Sequence, residues 1–280
     1  SPLLPPRHGR PLVVTIQDTV PWTHPETLTA HGARWHRTMA ERAVATGAVI
    51  TVTSHTVADE LPRVLPGLDP ERVRVLGAGV SPALLRVPGP DEVTAVQRRL
   101  ALPERYLLSL ATLEPRKGLD VLLAALAHLG PAAPPLLLVG QPGWGGIDVS
   151  SAAAAAGLTS GTVRALGWLP DADLAVVLRG AGALVAPSRA EGFGLPVAEA
   201  MAVGVPAIVS SSPALVEVAG GAALVTPVGD VVALAEAIET LRTDEGLRER
   251  LVAAGRVCAA PYDWRAVAGR AWALYRELAS

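Results

Sequence analysis

The stretch RAEGFGLPVAEA, residues 189–200, decides how this sequence is read. It holds Phe193, the only phenylalanine in 280 residues, between Gly192 and Gly194, with Glu191 and Glu199 on either side. Upstream, ALVA (183–186) reads as a short strand, and downstream Pro196 suits the first turn of a helix, where its missing N–H costs nothing. A strand, a glycine loop and a helix start would leave the amides of Phe193, Gly194 and Leu195 at a helix N-terminus, an arrangement that attracts anions and above all phosphate. The two glycines leave the backbone bare for a close approach. Glu199 is expected on the first helical turn, where a carboxylate complements the dipole. Each feature alone has a bland explanation: a turn, a solvated glutamate, a dipole complement. Together, around the sole Phe, they favour a ligand site.

Working outward, short Val/Ile/Leu-rich runs predict strands at 12–16, 48–52, 73–77, 106–111, 135–139, 162–166, 183–186, 206–210 and 222–225. Helical stretches are expected at 29–46, 55–65, 118–129, 148–157, 171–180, 196–203, 213–219, 230–242, 245–257 and 263–279. Continuous apolar strands alternating with amphipathic helices indicate parallel sheets covered on both faces. The strands are too many for one small sheet, and the Pro/Gly-rich segment GVSPALLRVPGPDE (79–92) divides the chain. In open α/β sheets ligands bind outside the carboxyl ends of the strands, so the loops of interest are 17–25, 111–118, 140–147, 167–171 and 187–195.

One of those loops carries Lys117, the only lysine among 24 Lys and Arg residues. A strand-end lysine can meet a phosphate as a point charge. The competing explanation, a surface cation, is weaker than usual in a chain that writes every other cation as arginine. GQPGWGG (140–146), beginning at Gly140, lacks the spacing of a dinucleotide fingerprint. A backbone close to a ligand and a plain flexible loop are equally good readings of it. In LGWLPDADLA (166–175), Trp168 and Leu169 could wall a flat base, although a tryptophan is more commonly core.

Composition excludes several classes. The formal charge is −2 with no Lys/Arg block, so nucleic acid is not an expected partner. A single cysteine, Cys258, forms no intrachain disulfide, and with no visible signal peptide a reducing, cytoplasmic setting is expected. No run of 18 apolar residues spans a bilayer. His8, His24, His31, His36, His55 and His128 have no ligand spacing and no metal is expected; they read as surface or packing residues. SPLLPPRHGRP, at the start, is loop-like, and a strand follows at once, so the first domain is expected to be incomplete.

At this point the residues resemble a family. EGFGLPVAE looks like the E-x7-E signature of retaining glycosyltransferases of family 4, with the GT-B fold. LEPRKGLDVLL, LLLVG, LGWLPDADL and EAMAVGVPAIVSSSPALVEV are similar to the same family in order, and YDWRAVAGRAWALYREL resembles its last helix. The resemblance covers nearly all of 103–280 and is looser over 11–79. It implies an α/β architecture of two Rossmann-like parallel-sheet domains: a partial N-terminal, acceptor-side domain (1–85), a donor-binding domain (86–262) and a helix (263–280) crossing back. It implies transfer of a mannose- or glucose-type sugar from a nucleotide-sugar donor to a glycan, lipid or small-molecule acceptor, with retention and without cofactor or metal. Many family acceptors are lipids, so peripheral contact with the inner membrane face is a further expectation.

By the same resemblance, Lys117 would hold the donor diphosphate, with Arg116. Glu199 would bind the ribose hydroxyls, Glu191 the donor sugar, and Glu191 and Lys117 would be the catalytic pair. Gly192 and the amides of Phe193, Gly194 and Leu195 would meet phosphate and sugar, Gly140 would lie by the donor, and Trp168 and Leu169 would meet the base. Two positions depart from the pattern. Gln17 stands where the family usually has a histidine that helps at the donor phosphates or sugar, and Ala111 where some members carry arginine. Gln17 can hydrogen-bond but carries no charge. A nucleotide-sugar-binding module without catalysis is therefore the rival reading; an epimerase or phosphorylase ranks below it.

Overall fold

Nine strands appear among residues 11–279, which the computed structural model describes; residues 1–10, with the loop reading made for them and His8, and Ser280 lie outside the described residues. We number the strands β1 (Val13–Thr15), β2 (Val49–Val52), β3 (Val73–Val75), β4 (Leu107–Leu110), β5 (Leu136–Val139), β6 (Val163–Gly167), β7 (Ala183–Ala186), β8 (Ala207–Ser210) and β9 (Ala223–Thr226). Each falls within or one residue beyond a run expected from sequence. All pairings between them are parallel, and they form two sheets: β1-β2-β3 and β6-β5-β4-β7-β8-β9. This is the expected GT-B-type α/β architecture of two Rossmann-like parts, the N-terminal one smaller.

The chain divides into two units. The first comprises the described residues up to Gly79, the five residues Ala190–Gly194, and the chain from Pro261 onward. Its central strand β2 is buried throughout, and Ile50 and Val52 join Ala43, Val57, Leu61 and Leu65 in an apolar core. Helix Ala30–Ala45 turns small residues (Ala33, Ala40, Ala43) inward. Helix His55–Val64 starts where the Ser54 hydroxyl accepts the Val57 amide, 3.2 Å away, satisfying one of the donors a helix start leaves over. The final helix, Trp264–Ala279, belongs to this unit: Arg270 Nε donates to the Leu76 carbonyl at 2.8 Å, and a Cβ on Gly79 would lie 2.6 Å from the Trp264 nitrogen.

The second unit comprises Val80–Arg189 and Leu195–Ala260. Its core lies between the six-stranded sheet and its helices, with Leu122, Leu126, Leu136, Ile208 and Ile238 all but inaccessible. Helix Leu119–Leu129 buries six side chains, an apolar helix as expected of one pressed on a sheet. Asp148, Asp230 and Asp244 each cap a helix, accepting the amide three residues on at 2.7–2.9 Å.

Residues 79–92, read from sequence as the segment that divides the chain, carry two helical pieces not expected there, helix Pro82–Leu85 and the start of helix Pro90–Arg99. The second has proline in its first turn, Asp91 and Glu92 beside it and Arg98 and Arg99 at its end, which is helix-terminal chemistry. It buries only Val96, so no apolar stripe announces it.

Candidate functional site

In the six-stranded sheet the order reverses between β4 and β7: β5 and β6 lie on one side, β8 and β9 on the other. Ligands of open α/β sheets bind at such a switch point, outside the carboxyl ends of the strands. The loop after β4 carries Arg116 and Lys117, and the chain after β7 runs through residues 187–194 into helix Leu195–Val203, which carries Glu199. Two of the five loops of interest in the sequence, 111–118 and 187–195, are therefore the two that flank the reversal.

The turn after β4 is tightly built. Pro115–Lys117 forms one turn of 3-10 helix, closed by Gly118 at φ 69°. Gly118 has a second reason to be glycine: a Cβ there would lie 2.2 Å from the Pro187 carbonyl oxygen. Arg189 clamps the same turn. Its amide donates to Arg116 O at 2.8 Å, its Nη1 to Pro115 O at 2.9 Å, and its guanidinium grips both oxygens of Asp120 at 2.8 and 2.6 Å. Arg116 is paired with Glu114 at 3.0 Å, both side chains mostly buried, so much of its charge is met within the turn. Lys117 is partly buried at the turn's end.

The loop after β5 zips onto the same segment. Leu113 N donates to Gln141 O at 3.0 Å and Gly143 N to Leu113 O at 3.2 Å. Gly140 sits at φ 151°, and a Cβ there would lie 2.0 Å from Ala111 O. Loop-to-loop contact thus accounts for Gly140 as glycine.

After β6, Trp168 is 65% exposed and Leu169 is buried. Trp168 is thus not the core residue a lone tryptophan usually is. Asp171 opens the next helix, Asp171–Gly180, and lies near enough to Glu199 to act on its charge. Burial, and secondarily Asp171, push the Glu199 carboxyl up from 4.5 to about 7. This corrects the expectation of a first-turn dipole complement: helix Leu195–Val203 has no acidic residue in its first turn, and Glu199 is one turn in, partly buried. A carboxyl held that way near neutrality has lost water without gaining a cation, a pattern common at functional sites.

Residues 190–194 group with the smaller unit. The Gly192 carbonyl accepts from Ser54 Oγ at 2.7 Å and Thr53 Oγ1 at 3.1 Å. A Cβ on Gly192 would lie 1.9 Å from the Gln17 carbonyl oxygen, and that oxygen, 3.0 Å from Thr53 Oγ1, shares the single Thr53 hydroxyl proton with the Gly192 carbonyl. Gln17 and Gly192 are thereby brought together by their backbones, while Gln17 itself is exposed. Phe193 is buried and meets Tyr262 edge-on, centroids 5.2 Å apart at 83°. Gly194, at φ 100°, turns the chain into the helix at Leu195. Glu191 is partly buried.

Among the described residues no group of three or more His, Cys, Asp or Glu side chains could hold a metal ion, and no helix is long and apolar enough to cross a membrane. Sequence reasoning missed Arg189, Asp120, Asp171, Thr53 and Ser54. Their partners are far away in sequence or of commonplace residue type.

A doubly wound parallel sheet with a cationic turn and a partly buried glutamate at its switch point places the chain in the class of open α/β proteins whose ligand crevice lies at that point. Residues 92–257 match the family described as glycosyl transferases group 1, and the chain belongs to that family. It is 37% identical over 179 residues to the O-antigen chain mannosyltransferase B of Escherichia coli, covering 62% of this chain and 47% of that protein. It is likewise 37% identical over 172 residues to the phosphatidyl-myo-inositol mannosyltransferase of Mycobacterium leprae (strain TN), covering 60% of this chain and 45% of the relative. The chain thus spans about half the length of these curated relatives. Among solved structures, sucrose-phosphate synthase from Thermosynechococcus elongatus superposes with a TM-score of 0.77 at 26% identity, covering 94% of this chain and 67% of that one. Anabaena HepE in complex with UDP-glucose gives 0.79 at 21% identity over 96% of this chain and 73% of that one, a likeness of fold.

Proposed function

We propose that the chain is part of a glycosyltransferase that moves a mannose- or glucose-type sugar from a nucleotide-sugar donor to a glycan or lipid acceptor, with retention at the anomeric carbon. The observation that carries this reading is the placement of Lys117 and Glu199 after β4 and β7, the strands where the sheet order reverses. Lys117, with Arg116 beside it, holds the diphosphate and stabilises the charge that develops on it as the sugar departs. The amides of Phe193, Gly194 and Leu195 add helix-start donors to the same phosphates. Glu199 receives the ribose hydroxyls, Trp168 and Leu169 meet the base, and Glu191 orients the sugar. The names of the two mannosyltransferase relatives support a mannose-type donor and an acceptor that is a growing glycan or an inositol lipid. The lone Cys258 suits a reducing compartment, the cytoplasm.

A second reading, donor binding without turnover, is favoured by Gln17, a neutral exposed amide at the position where the family resemblance implies a histidine.

Calorimetric titration of UDP, GDP and ADP tests the site. One nucleotide should bind, and Lys117→Ala should weaken the diphosphate at least tenfold, about the worth of one charge-assisted contact, while leaving the matching nucleoside little changed. Equal losses for diphosphate and nucleoside, or none, would sink the assignment of Lys117. Release of free sugar from the matching nucleotide-sugar then separates transferase from binding module.

A further inference from the structure

The second unit has a cavity that the site above does not use. It lies at the amino-terminal ends of β4, β7 and β8, where Leu107, Ala183 and Ile208 floor it, and encloses 380 Å³. The residues assigned to the donor follow the carboxyl ends of β4 and β7. A four-residue strand spans roughly 13 Å, so a molecule in this cavity does not reach them. Its volume lies in the range of small-molecule sites.

The lining is chemically specific. Arg105, Arg179, Arg242 and Arg248 line it, together with Glu104 and Glu245. Arg242 is held by Glu239 through two bonds of 2.8 and 2.6 Å. The other three have no carboxylate within hydrogen-bond distance among the described residues. The Nε atoms of Arg179 and Arg248 are buried with no hydrogen-bond acceptor among the described residues, and they are the two such side-chain atoms found there. The nearest carboxylate oxygen to Arg248 is that of Glu245, 3.6 Å away, beyond hydrogen-bond reach. Arg179 gives Nη2 to the Leu84, Leu85 and Arg86 carbonyls at 3.1, 2.9 and 3.3 Å and Nη1 to the Val203 carbonyl at 3.5 Å, which are neutral acceptors and leave its charge unmatched. Arg105, exposed at the rim, has no partner among the described residues.

A buried donor without an acceptor costs about 1–3 kcal/mol, and crowded cations repel. An oxyanion relieves both, and guanidinium forks fit phosphate oxygens in pairs. The two glutamates are wrong for phosphate but right for hydroxyl donors. The apolar floor suits the carbon skeleton between the two.

We propose that this cavity is a second ligand site, taking a small phosphomonoester with a hydroxylated body, of the class of a hexose phosphate. The phosphate lies toward Arg105 and Arg248 and the hydroxyls toward Glu104 and Glu245. The site is independent of the donor reading.

Calorimetric titration of the whole chain with glucose 6-phosphate, inorganic phosphate and glucose tests this. The sugar phosphate binds at one site, at least tenfold tighter than inorganic phosphate, and glucose alone gives no heat. Arg105→Ala and Arg248→Ala each weaken it tenfold or more, and Lys117→Ala leaves it unchanged. Arg105 is exposed, so Arg105→Ala retains the fold, checked by its circular dichroism and melting. Absence of binding at roughly 10 mM, a very weak affinity, overturns the site. Binding lost in Lys117→Ala but intact in Arg105→Ala overturns it too, and equal affinity for inorganic phosphate overturns the hydroxylated body.

Discussion

Glu199 is the residue whose physics and proposed role can be separated by pH. Its carboxyl titrates near 7 in the folded chain against 4.5 when free, because burial and Asp171 both oppose its charge. The folded state therefore binds the proton more tightly than the unfolded one, and stability falls as pH rises from about 4.5 to about 7. The full cost, reached above 7, is about 3 kcal/mol at most. Glu199→Gln removes it, so the variant should gain stability over the parent as pH rises through that window, read by denaturant titrations at pH 5 and pH 8. Nucleotide binding should run the other way. If ribose hydroxyls donate to Glu199, the ionised carboxylate is the better acceptor. Affinity should then increase as pH rises through 7, and in Glu199→Gln it should be weaker and flat across the same range. A parent affinity that ignores pH would mean that the ribose does not meet this group. The lone lysine and lone phenylalanine end differently. Phe193 packs on Tyr262, which explains its burial without reference to any ligand, while Lys117 ends a turn that other residues hold in place.

That turn is the element whose rigidity matters. Pro115–Lys117 is too short to hold itself, and Arg189 secures it through two backbone contacts and the fork to Asp120. The pair is partly exposed, with 32% and 66% of the side chains accessible, so the ionic part contributes no more than about 1 kcal/mol. Arg189→Lys keeps the charge and loses the fork. It should cost little stability yet weaken diphosphate binding several-fold, because Lys117 would no longer be held in one position. Binding by Arg189→Lys indistinguishable from the parent would show that the turn keeps its shape unaided. Elements were largely legible in the sequence for a reason that this turn lacks. Strands β2, β5 and β8 are buried throughout, so each reads as a near-continuous apolar run between breakers, as LLLV and AIVS do. Helix Pro90–Arg99 was not legible because it buries a single valine. The clamp was not legible either, since Arg189 is one arginine among many and Asp120 lies 69 residues away. Trp168 defied its residue type because the loop after β6 leaves its ring in solvent.

On the scale of the molecule, the chain leaves the larger unit at Ala190, groups with the smaller one for five residues, and returns at Leu195. Those five residues include Glu191 and Phe193, so the loop that opens the Glu199 helix takes its shape from contacts more than 130 residues away in sequence. The decisive bonds are those of Ser54 Oγ and Thr53 Oγ1 to the Gly192 carbonyl, with Gly192 itself pressed on Gln17. Nothing in the sequence around 53–54 points to position 192; in the structure Ser54 also caps helix His55–Val64. Replacing both hydroxyls, Thr53→Val with Ser54→Ala, leaves a buried carbonyl without those donors and a helix without its cap. Each loss is worth about 1 kcal/mol, so the double variant should be destabilised by roughly 2 kcal/mol. The cap and the loop anchor can be told apart. Ser54→Asp, with Thr53 intact, keeps a capping oxygen but removes the donor to Gly192 and sets a negative charge against its carbonyl. Amide exchange in 190–195 should therefore quicken in Ser54→Asp while exchange in 55–64 stays slow, and nucleotide affinity should fall with it. If 190–195 remains as protected as in the parent, the loop is held by Phe193 against Tyr262, and Phe193→Ala becomes the variant in which exchange and affinity must change together.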